Sequence, residues 1–433
     1  MTLAALLTLT APLGAQIYAD FTVSKGTPPT NTPLGTIRVE LAHEKAPRPV
    51  AAFIGLATGQ RPWISITTGN IVNTPFYDGQ IFHRLIHNFV LQGGDFLGGG
   101  QGGPGFIQQE QFHPDLRHDP YVISMAKGTL PNSAGSQFFF TLEASHHLDD
   151  KHAVFGTITE ESSKLILDGF KNSTNFPTDG SDFPTTQINL DSVVISGPDL
   201  AGFDLFDPSL KLPTIRSQAI ETEYLPDVDT FKLTWDWEFQ TQYTLYAGTS
   251  LDPLPAFYVI YSSQPSPDRS FSISGVSFPK YFSRMHALDY GHVANPPTDL
   301  ISAGRNITLS SRNGDTISLD FSSETAGTWT HSDTSSGSFT VTLAFDAMEE
   351  DQTSGFSNLT QGAIFLGQIP LFEISLDFGV PGTTNDYTGP EGWASLNVLL
   401  NFFDPQSGWT DGTAPVSGFP TTTTVFRSFT TTP

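Results

Sequence analysis

The sequence predicts a mainly β protein in two parts, a barrel-like β region with two helices followed by an all-β region. Three observations predict this. Short segments rich in β-branched and aromatic residues recur along the chain, both helix-like segments lie in the first part, and the composition changes near residue 200. At 433 residues the chain is also too long for one ordinary domain, so two or three domains are expected.

The first region alternates predicted strands with two predicted helices. Gly35–Leu41 alternates apolar and polar residues as a half-buried strand does. Ala46–Gly59 is predicted as a helix, because its two prolines suit a first turn and its final glycine suits a helix end. Glu161–Phe170 is the second predicted helix. The other predicted strands are Phe82–Gln92, Val122–Ala126, Gln137–Thr141, Val154–Thr159 and Gln187–Ile195. Many short strands with two helices indicate a β-barrel with helical plugs.

The second region is predicted to be all-β. Apolar and polar residues alternate in four segments, which are Phe231–Trp237, Ile307–Leu309, Thr316–Phe321 and Ser338–Phe345. Asn313-Gly314 lies between two such runs, which is a strong hairpin signal. A β-sandwich and a β-barrel fit this pattern equally. Ser196–Pro213 is rich in Gly, Pro and Asp, so a linker is expected between the regions.

Composition excludes several classes of function. The net charge of −24 argues against nucleic acid and against docking on an anionic membrane, because both need a basic face. The chain has no Cys, which excludes disulfide scaffolds, thiolate zinc sites and cysteine nucleophiles. The histidines fit no metal-binding motif, and the glycine-rich stretch Gly98–Gly105 is not followed by a phosphate-loop lysine. We therefore expect no metal and no cofactor, and we find no stretch apolar and long enough for a transmembrane segment.

The first fifteen residues suggest export. Met1–Ala15 is a short apolar run that ends in Gly14 and Ala15, as a secretory signal segment does, although no basic residue precedes it. The expected location is therefore periplasmic or extracellular. The alternative is that these residues form a buried first strand.

Three blocks between residues 76 and 156 carry the strongest motifs. They are FYDGQIFHRLIHNFVLQGGDF at Phe76–Phe96, FHPDLRHDPYVISMA at Phe112–Ala126 and GSQFFFTLEASHHLDDKHAVFG at Gly135–Gly156. Together they resemble the cyclophilin family of peptidyl-prolyl isomerases, and the second block is similar to the bacterial branch. The resemblance implies a closed antiparallel β-barrel with two capping helices over 16–198. It leaves 199–215 as a linker and 216–433 as an all-β domain of unknown function.

The chemistry that this family performs needs no cofactor. Isomerisation of an X-Pro bond only has to overcome amide resonance, a barrier of roughly 18–20 kcal/mol. An enzyme can do this with an apolar pocket for the proline ring, polar groups for the carbonyl side, and a donor for the proline nitrogen. That nitrogen gains a lone pair only when resonance is lost, so the donor favours the transition state over the ground state.

The resemblance assigns roles to individual residues. Arg84 matches the donor to the proline nitrogen, and Gln92 matches the glutamine that orients Arg84 and the substrate backbone. The other matching positions, which would bind substrate, are Phe89, Val90, Phe139, Leu148 and His152 for the proline pocket, Ala126 and Lys127 for the backbone of the preceding residue, Gln137 for the neighbouring subsite, and His147. The partners implied are proline-containing polypeptides.

Three positions depart from the common family pattern. Val90 stands where the family commonly has Met, Lys127 where Asn is common, and His147 where many eukaryotic members have Trp. The family links that Trp to tight cyclosporin binding, so sensitivity to cyclosporin is not expected. None of the three changes removes the isomerisation chemistry.

Two other functions compete with catalysis by the first region. One is a cyclophilin-like module that binds proline peptides without catalysing, which loss of Arg84 would have favoured. The other places the main function in the C-terminal β region, as a carbohydrate-binding or adhesion module with a glycan or protein partner. Exposed aromatic residues there would stack on sugars; the candidates are Trp235, Trp237, Trp329, Trp393 and Trp409.

Overall fold

A computed structural model describes most of the first region and the strands of the second. The described residues are 16–65, 67–128, 133–228, 230–236, 238, 241–248, 256–261, 270–274, 282–289, 303–311, 316–347, 371–377, 395–401, 408–412 and 426–432. The predicted signal segment, 1–15, lies outside them.

Two α-helices occur in the described residues, α1 (Pro47–Thr58) and α2 (Glu161–Gly169), and both confirm the predictions. Prolines occupy the first turn of α1, where a missing N–H costs no helical hydrogen bond. Gly59 ends the helix in a left-handed conformation, with φ of 72°, and its N–H is donated to Leu56 O. Neither described helix has the length and apolar character that a membrane span requires.

The described residues of the first region form eleven strands, which are β1 (Ile17–Lys25), β2 (Thr32–Leu41), β3 (Trp63–Ser65), β4 (Asn70–Val72), β5 (Gln80–Ile81), β6 (Arg84–Ile86), β7 (Val90–Gly93), β8 (Val122–Met125), β9 (Phe138–Thr141), β10 (Val154–Thr157) and β11 (Ile188–Ser196). Strands β3 and β4 form a separate hairpin. The other nine form one antiparallel sheet in the order β5-β11-β1-β2-β10-β8-β9-β7-β6.

The nine-stranded sheet curls strongly. Its two edge strands, β5 and β6, are separated along the chain by only Phe82 and His83, so the edges lie close together in space. The hydrogen-bonded ladder among the described residues does not join the edges directly. The sheet is therefore a curled, open form of the barrel that the sequence predicts.

Phe82–Gln92 is not the single strand that the sequence predicts. It is a hairpin of β6 and β7, in which Arg84 pairs with Gln92 and Ile86 with Val90. Asn88 reverses the chain with φ of 58°, a conformation that asparagine tolerates better than most residues. The reversal brings Arg84 and Gln92 side by side.

An aromatic cluster fills the space between the sheet and α1. The ring of Phe53 on α1 lies 5.6 Å from Phe21, 4.9 Å from Tyr77 and 5.4 Å from Phe155, between ring centroids. Phe138 meets Phe21 edge-on at 5.4 Å. Burial of several large rings together contributes strongly to the stability of the sheet.

The predicted linker, 199–215, is folded against the first region. Leu205, Leu210 and Leu212 are buried in the core that contains α1. Two buried arginines of the first region hold the segment by its backbone. Arg48 Nε donates to Leu210 O at 2.6 Å, and Arg61 donates to Leu205 O at 2.6 Å and to Pro213 O at 3.0 Å.

In its described part the second region contains one short 3₁₀ helix, Pro226–Val228, and fifteen strands. The strands are β12 (Thr214–Gln218), β13 (Glu221–Leu225), β14 (Thr230–Thr234), β15 (Thr241–Gly248), β16 (Ala256–Tyr261), β17 (Ser270–Ser274), β18 (Phe282–Asp289), β19 (Asn306–Ser311), β20 (Thr316–Ser323), β21 (Ala326–His331), β22 (Ser336–Ala347), β23 (Leu371–Asp377), β24 (Ser395–Asn401), β25 (Gly408–Gly412) and β26 (Phe426–Thr432).

These strands form three antiparallel sheets, with the orders β12-β18-β15-β16, β13-β14-β17 and β25-β24-β23-β22-β21-β20-β19-β26. The pairing of β19 with β20 confirms the predicted hairpin, whose turn at Asn313-Gly314 lies outside the described residues. Tyr246 of β15 and Leu288 of β18 belong to the same apolar cluster as the first region. The two regions therefore share packed surface.

Candidate active site

A small apolar cluster lies apart from the main core. Val90, Ala126 and Phe139 form it, and Phe89 and Leu148 pack against it. They come from β7, from the end of β8, from β9 and from the short 3₁₀ helix at 146–148. The structure thus brings together five of the residues that the sequence predicts to bind substrate.

One row of residues crosses four adjacent strands beside this cluster. Arg84 pairs with Gln92, Gln92 with Phe139, and Phe139 with Ser124. Residues directly opposite in antiparallel strands point to the same face, with Cα atoms roughly 4.5–5.5 Å apart. The guanidinium of Arg84, the amide of Gln92 and the ring of Phe139 are therefore presented side by side.

The amide of Gln92 is held by a second glutamine. Gln92 Nε2 donates to Gln137 Oε1 at 3.0 Å, and Gln137 Nε2 donates to Gly100 O at 3.0 Å and to Gly102 O at 2.9 Å. No hydrogen bond joins the side chains of Gln92 and Arg84 in the described part of the chain. The orienting role predicted for Gln92 toward Arg84 is therefore not visible as a direct contact.

Arg84 is half-exposed and faces an acidic loop residue. Its Nη2 lies 3.5 Å from Asp182 Oδ2, and the two side chains are 42% and 43% exposed. The Asp182 backbone accepts a hydrogen bond from Leu85 N at 2.9 Å, which fixes the loop beside β6. The guanidinium is thus accessible to a ligand while remaining anchored at the edge of the sheet.

A cavity of about 150 Å³ continues the groove beyond Gln92. Its lining is Gln92, Gly100–Ile107, Ala126–Gly128, Ser133 and Gly135–Gln137. The buried Asp95 shapes the glycine-rich wall by accepting from Leu97 N at 2.8 Å, from Gly99 N at 2.9 Å and from Gly100 N. Within the glycine-rich stretch Gly98–Gly105, the residues from Gly100 onward therefore form one side of the groove.

Ala126 and Lys127 lie between the apolar cluster and this cavity. Ala126 N donates to Gln137 O at 2.9 Å. The ammonium of Lys127 does not reach into solvent, because it lies 3.2 Å from Glu110 Oε1 with side-chain exposures of 10% and 3%. An ion pair this deeply buried is costly unless both partners are present.

Two histidines support Phe139 from behind. His152 meets the Phe139 ring edge-on at 5.5 Å, and its Nδ1 lies 3.0 Å from Met125 O. Burial lowers the pKa of His152 to about 4, so the imidazole is neutral at pH 7 and the pocket wall stays uncharged. The ring of His118 stacks on Phe139 with centroids 5.8 Å apart, and it lies 6.5 Å from the ring of His152.

His118 is itself held at both ring nitrogens. Its Nδ1 lies 2.9 Å from Asp149 Oδ1, and its Nε2 lies 3.0 Å from Ser124 Oγ. Burial raises the pKa of Asp149, but hydrogen bonds from His118 and Arg117 more than offset this and leave the pKa below its usual value. Ser124 and His118 are fully buried, so this arrangement orients Phe139 and does not face substrate.

His147, the remaining predicted residue, lies at the rim. Its exposed ring stacks on Phe89 with centroids 5.6 Å apart. The structure thus gathers all eleven predicted site residues around one groove. No group of three or more metal-ligating side chains lies together among the described residues.

Sequence reasoning missed four groups that shape the site. His118 and Asp149 lie inside the blocks that carry the family resemblance, so their position in those blocks was an available signal. Asp95 follows the glycine pair of the first block and was equally visible. Asp182 gave no signal, because its loop meets Arg84 only through the tertiary fold.

A half-exposed guanidinium lies beside an apolar pocket, and a polar groove runs away from it, which is the arrangement of a site that accommodates an extended polypeptide with an apolar residue in the pocket. Comparison with known proteins makes this specific. The family described as "Cyclophilin type peptidyl-prolyl cis-trans isomerase/CLD" matches residues 28–195.

Two bacterial relatives match closely. A probable peptidyl-prolyl cis-trans isomerase A of Mycobacterium leprae is 39% identical over 40% of this chain and 94% of its own. Peptidyl-prolyl cis-trans isomerase B of Streptomyces anulatus is 39% identical over 42% of this chain and 98% of its own. A crystal structure of a Cryptosporidium parvum cyclophilin-type isomerase is 24% identical, covers 42% of this chain and 99% of that one, and has a TM-score of 0.34.

The chain belongs to the cyclophilin-type peptidyl-prolyl cis-trans isomerases, and its activity is the isomerisation of X-Pro peptide bonds. The family match ends at residue 195, so the C-terminal β region lies outside it.

Proposed function

We propose that Arg84 is the catalytic residue and that the chain isomerises X-Pro bonds in exported polypeptides. The observation that carries the catalytic assignment is the row of Arg84, Gln92 and Phe139 across neighbouring strands. A proline ring seated on Phe139 and Val90 has the guanidinium of Arg84 on the same face of the sheet, two strands away.

The proposed mechanism uses differential binding. The apolar cluster of Phe89, Val90, Phe139 and Leu148 grips the proline ring, while the backbone of Ala126 and Lys127 pairs with the residue before proline. As the amide twists, the proline nitrogen becomes pyramidal and accepts a hydrogen bond from Arg84, a bond that the planar ground state cannot make. Each tenfold acceleration needs about 1.4 kcal/mol of transition-state stabilisation. One charge-assisted hydrogen bond provides at least this much, so Arg84 alone can account for at least one factor of ten.

The glutamine pair serves the carbonyl side of the bond. Gln92 and Gln137 are joined by one hydrogen bond, and Gln137 is tied to the glycine-rich wall. The Gln92 amide is thus already positioned before substrate arrives, which reduces the entropy cost of holding the twisted bond. His152 and His147 complete the proposed pocket at its back and at its rim.

An isomerase assay on a short X-Pro peptide tests the catalytic assignment. Wild-type protein, Arg84→Lys and Arg84→Ala are compared at equal concentration, with peptide binding measured in parallel. We expect Arg84→Ala to lower kcat/KM by at least about tenfold, with Arg84→Lys in between. Equal rates for wild type and Arg84→Ala would remove Arg84 from the mechanism.

The exported location rests on Met1–Ala15 alone. We infer that this segment directs the chain to the periplasm or the cell exterior and that clients are exported polypeptides. Its apolar run and small terminal residues support this. N-terminal sequencing of the protein recovered from cell fractions tests it: a mature chain beginning near Gln16 outside the cytoplasm is expected, and an intact Met1 in the cytoplasm would refute it.

We assign 16–198 to the isomerase unit, 199–215 to the connecting segment and 216–433 to a C-terminal all-β unit. A glycan-binding role for the last unit has little support. Trp235 and Trp329 are 7% and 3% exposed, so they cannot stack on a sugar, while Trp237 and Trp393 lie outside the described residues. Only the backbone of Trp409 is described, within β25.

A further inference from the structure

The β3–β4 hairpin touches both the C-terminal region and the groove. Sequence analysis finds no role for these residues, which lie between α1 and the first motif block. The hairpin pairs Trp63 with Val72 and Ser65 with Asn70, and Gly69 precedes β4 with φ of 67°. The hairpin belongs to the first region in sequence, but two side chains that bond to it, Arg284 and His286, belong to the C-terminal region.

On one side, the hairpin is held by strand β18 of the C-terminal region. His286 Nε2 donates to Gly69 O at 2.7 Å, and Arg284 Nη1 donates to the same carbonyl at 3.2 Å and to Asn70 Oδ1. His286 is 1% exposed and lies under the ring of Tyr246, 5.3 Å away. A carbonyl that receives two donors from one strand is fixed in place by that strand.

On the other side, the hairpin supports the wall of the groove. Ile64 N donates to Pro104 O at 2.9 Å, and Ile64 is fully buried. Ile64 packs directly against the backbone of Gly105, where φ is 78°. A Cβ atom added to Gly105 would lie only 2.5 Å from Ile64 Cβ, so a side chain there would displace the hairpin. Pro104 and Gly105 both line the cavity.

We propose that Arg284 and His286 are positioning residues for the isomerase site. By holding Gly69 they fix the β3–β4 hairpin, and through Ile64 the hairpin sets the wall segment 104–107 against which substrate residues before proline bind. The C-terminal region is therefore part of the substrate site and not an independent attachment. This inference rests on the proposed function, because that function places the residue before proline on the backbone of Ala126 and Lys127, which line the same cavity as the wall.

The test uses full-length protein and two substrates. One peptide has a single residue before proline and does not reach the wall, and the other has four. For His286→Phe, which fills the space but removes the donor, we expect KM for the long peptide to rise about fivefold or more, with kcat unchanged. KM for the short peptide should stay within twofold of wild type. His286→Gln retains an N–H donor and should restore KM for the long peptide.

Two further variants separate positioning from general damage. Arg216→Ala removes an arginine of the neighbouring strand β12 that bonds Glu238 and has no hydrogen bond to the described residues of the hairpin, so both KM values should stay at wild type. Ile64→Ala acts on the same path as His286→Phe, so the double variant should be less impaired than the product of the two single effects. Arg284→Met, which keeps an aliphatic side chain but removes the donors to Gly69 O and Asn70 Oδ1, is the alternative if a His286 variant does not fold.

The outcomes that overturn the proposal are distinct from those that overturn the proposed function. A long-peptide KM within twofold of wild type in folded His286→Phe and Arg284→Met overturns it. An equal rise in KM for the long and the short peptide also overturns the proposal. So does a rise in KM for the long peptide in Arg216→Ala that equals the rise in His286→Phe. Wild-type protein that fails to isomerise even the short peptide would instead overturn the proposed function.

Discussion

Arg84 Nη2 and Asp182 Oδ2 lie 3.5 Å apart, at a point where the acidic loop turns back over strand β6. The proposed donor to the proline nitrogen is thus paired with a carboxylate before substrate binds. Because both groups are about two-fifths exposed, the pairing is weak and solvent competes with it. A substrate can therefore displace Asp182 at small cost.

Removing the charge of Asp182 should make Arg84 a better donor. An exposed pair contributes about 0.2–1 kcal/mol, so Asp182→Asn should raise kcat/KM by up to about fivefold at low salt. At 0.5 M salt the difference from wild type should vanish, because screening weakens the pair in the native protein. Glu161→Gln, an exposed change on α2, is the matched control. A lower kcat/KM in Asp182→Asn would show that the carboxylate instead orients the guanidinium.

His152 should make stability depend on pH in the acid range. Burial lowers its pKa from 6.5 to about 4, so between these values the unfolded chain binds a proton that the folded chain does not. Stability should therefore fall as the pH drops from 6.5 toward 4. In His152→Asn, which keeps a donor for Met125 O, the slope should be shallower by about 1.4 kcal/mol per pH unit. Urea midpoints from pH 4 to 7.5 measure this, and parallel slopes would contradict it.

His118 should be required for both stability and substrate binding. Its loss leaves a void beneath Phe139 and leaves buried Ser124 Oγ without its ring partner, while Asp149 keeps only the hydrogen bonds from the backbone N–H of residue 118 and from Arg117. We expect His118→Ala to cost about 2–4 kcal/mol of folding free energy and to raise KM. Chemical denaturation with isomerase kinetics checks both effects. If His118→Ala is destabilised but has the KM of wild type, the position of Phe139 does not depend on stacking with His118.

Two glycines of the glycine-rich stretch, Gly102 and Gly99, should differ in their tolerance of substitution by alanine. A Cβ on Gly102 would lie 2.0 Å from Asp95 Oδ1, whereas a Cβ on Gly99 meets nothing within 4 Å. Gly102→Ala should therefore displace the carboxylate that shapes the wall, costing about 1–3 kcal/mol and raising KM for extended peptides. Gly99→Ala keeps the N–H that Asp95 accepts and should resemble wild type. Thermal unfolding and KM measurements distinguish the pair, and equal effects would contradict the steric argument.

Arg61 should stabilise the protein far more than an exposed arginine or lysine does. Its guanidinium is the buried donor for Leu205 O and Pro213 O, and burial lowers its pKa to about 10. Arg61→Ala leaves both carbonyls without that donor and should cost about 2–4 kcal/mol. Lys45→Ala, which breaks an exposed pair with Asp115, should cost less than about 1 kcal/mol. Equal urea midpoints for the two variants would show that the segment is not held by Arg61.

Local signals predicted the elements whose ends are marked by special residues. The prolines and Gly59 located α1 because their backbone preferences act within a few residues. The motif blocks located the groove because Arg84, Gln92 and Phe139 lie within them. The reversal at Asn88 was not predicted, since the apolar residues on both sides of it continue without a glycine or proline.

The packing of residues 199–215 and of the β3–β4 hairpin depends on tertiary contacts that the sequence does not reveal. Residues 199–215 have the composition of a linker, but Arg48 and Arg61 hold the segment through its carbonyls, which every sequence possesses. The same holds for Gly69, whose carbonyl receives Arg284 and His286 from more than two hundred residues away. When a side chain bonds to a backbone carbonyl, the accepting residue can be of any type. The accepting segment therefore carries no sequence pattern that would predict the contact.

The neighbouring edges of the nine-stranded sheet determine when the site can exist during protein synthesis. Arg84 begins one edge strand, and the other edge strand, β5, is held by pairing with β11, the last strand of the first region. A ribosome therefore produces Arg84 and Gln92 long before the strand that completes their surroundings. We therefore expect the nascent chain to isomerise prolines, its own included, only after residues 188–196 have emerged and the sheet is complete.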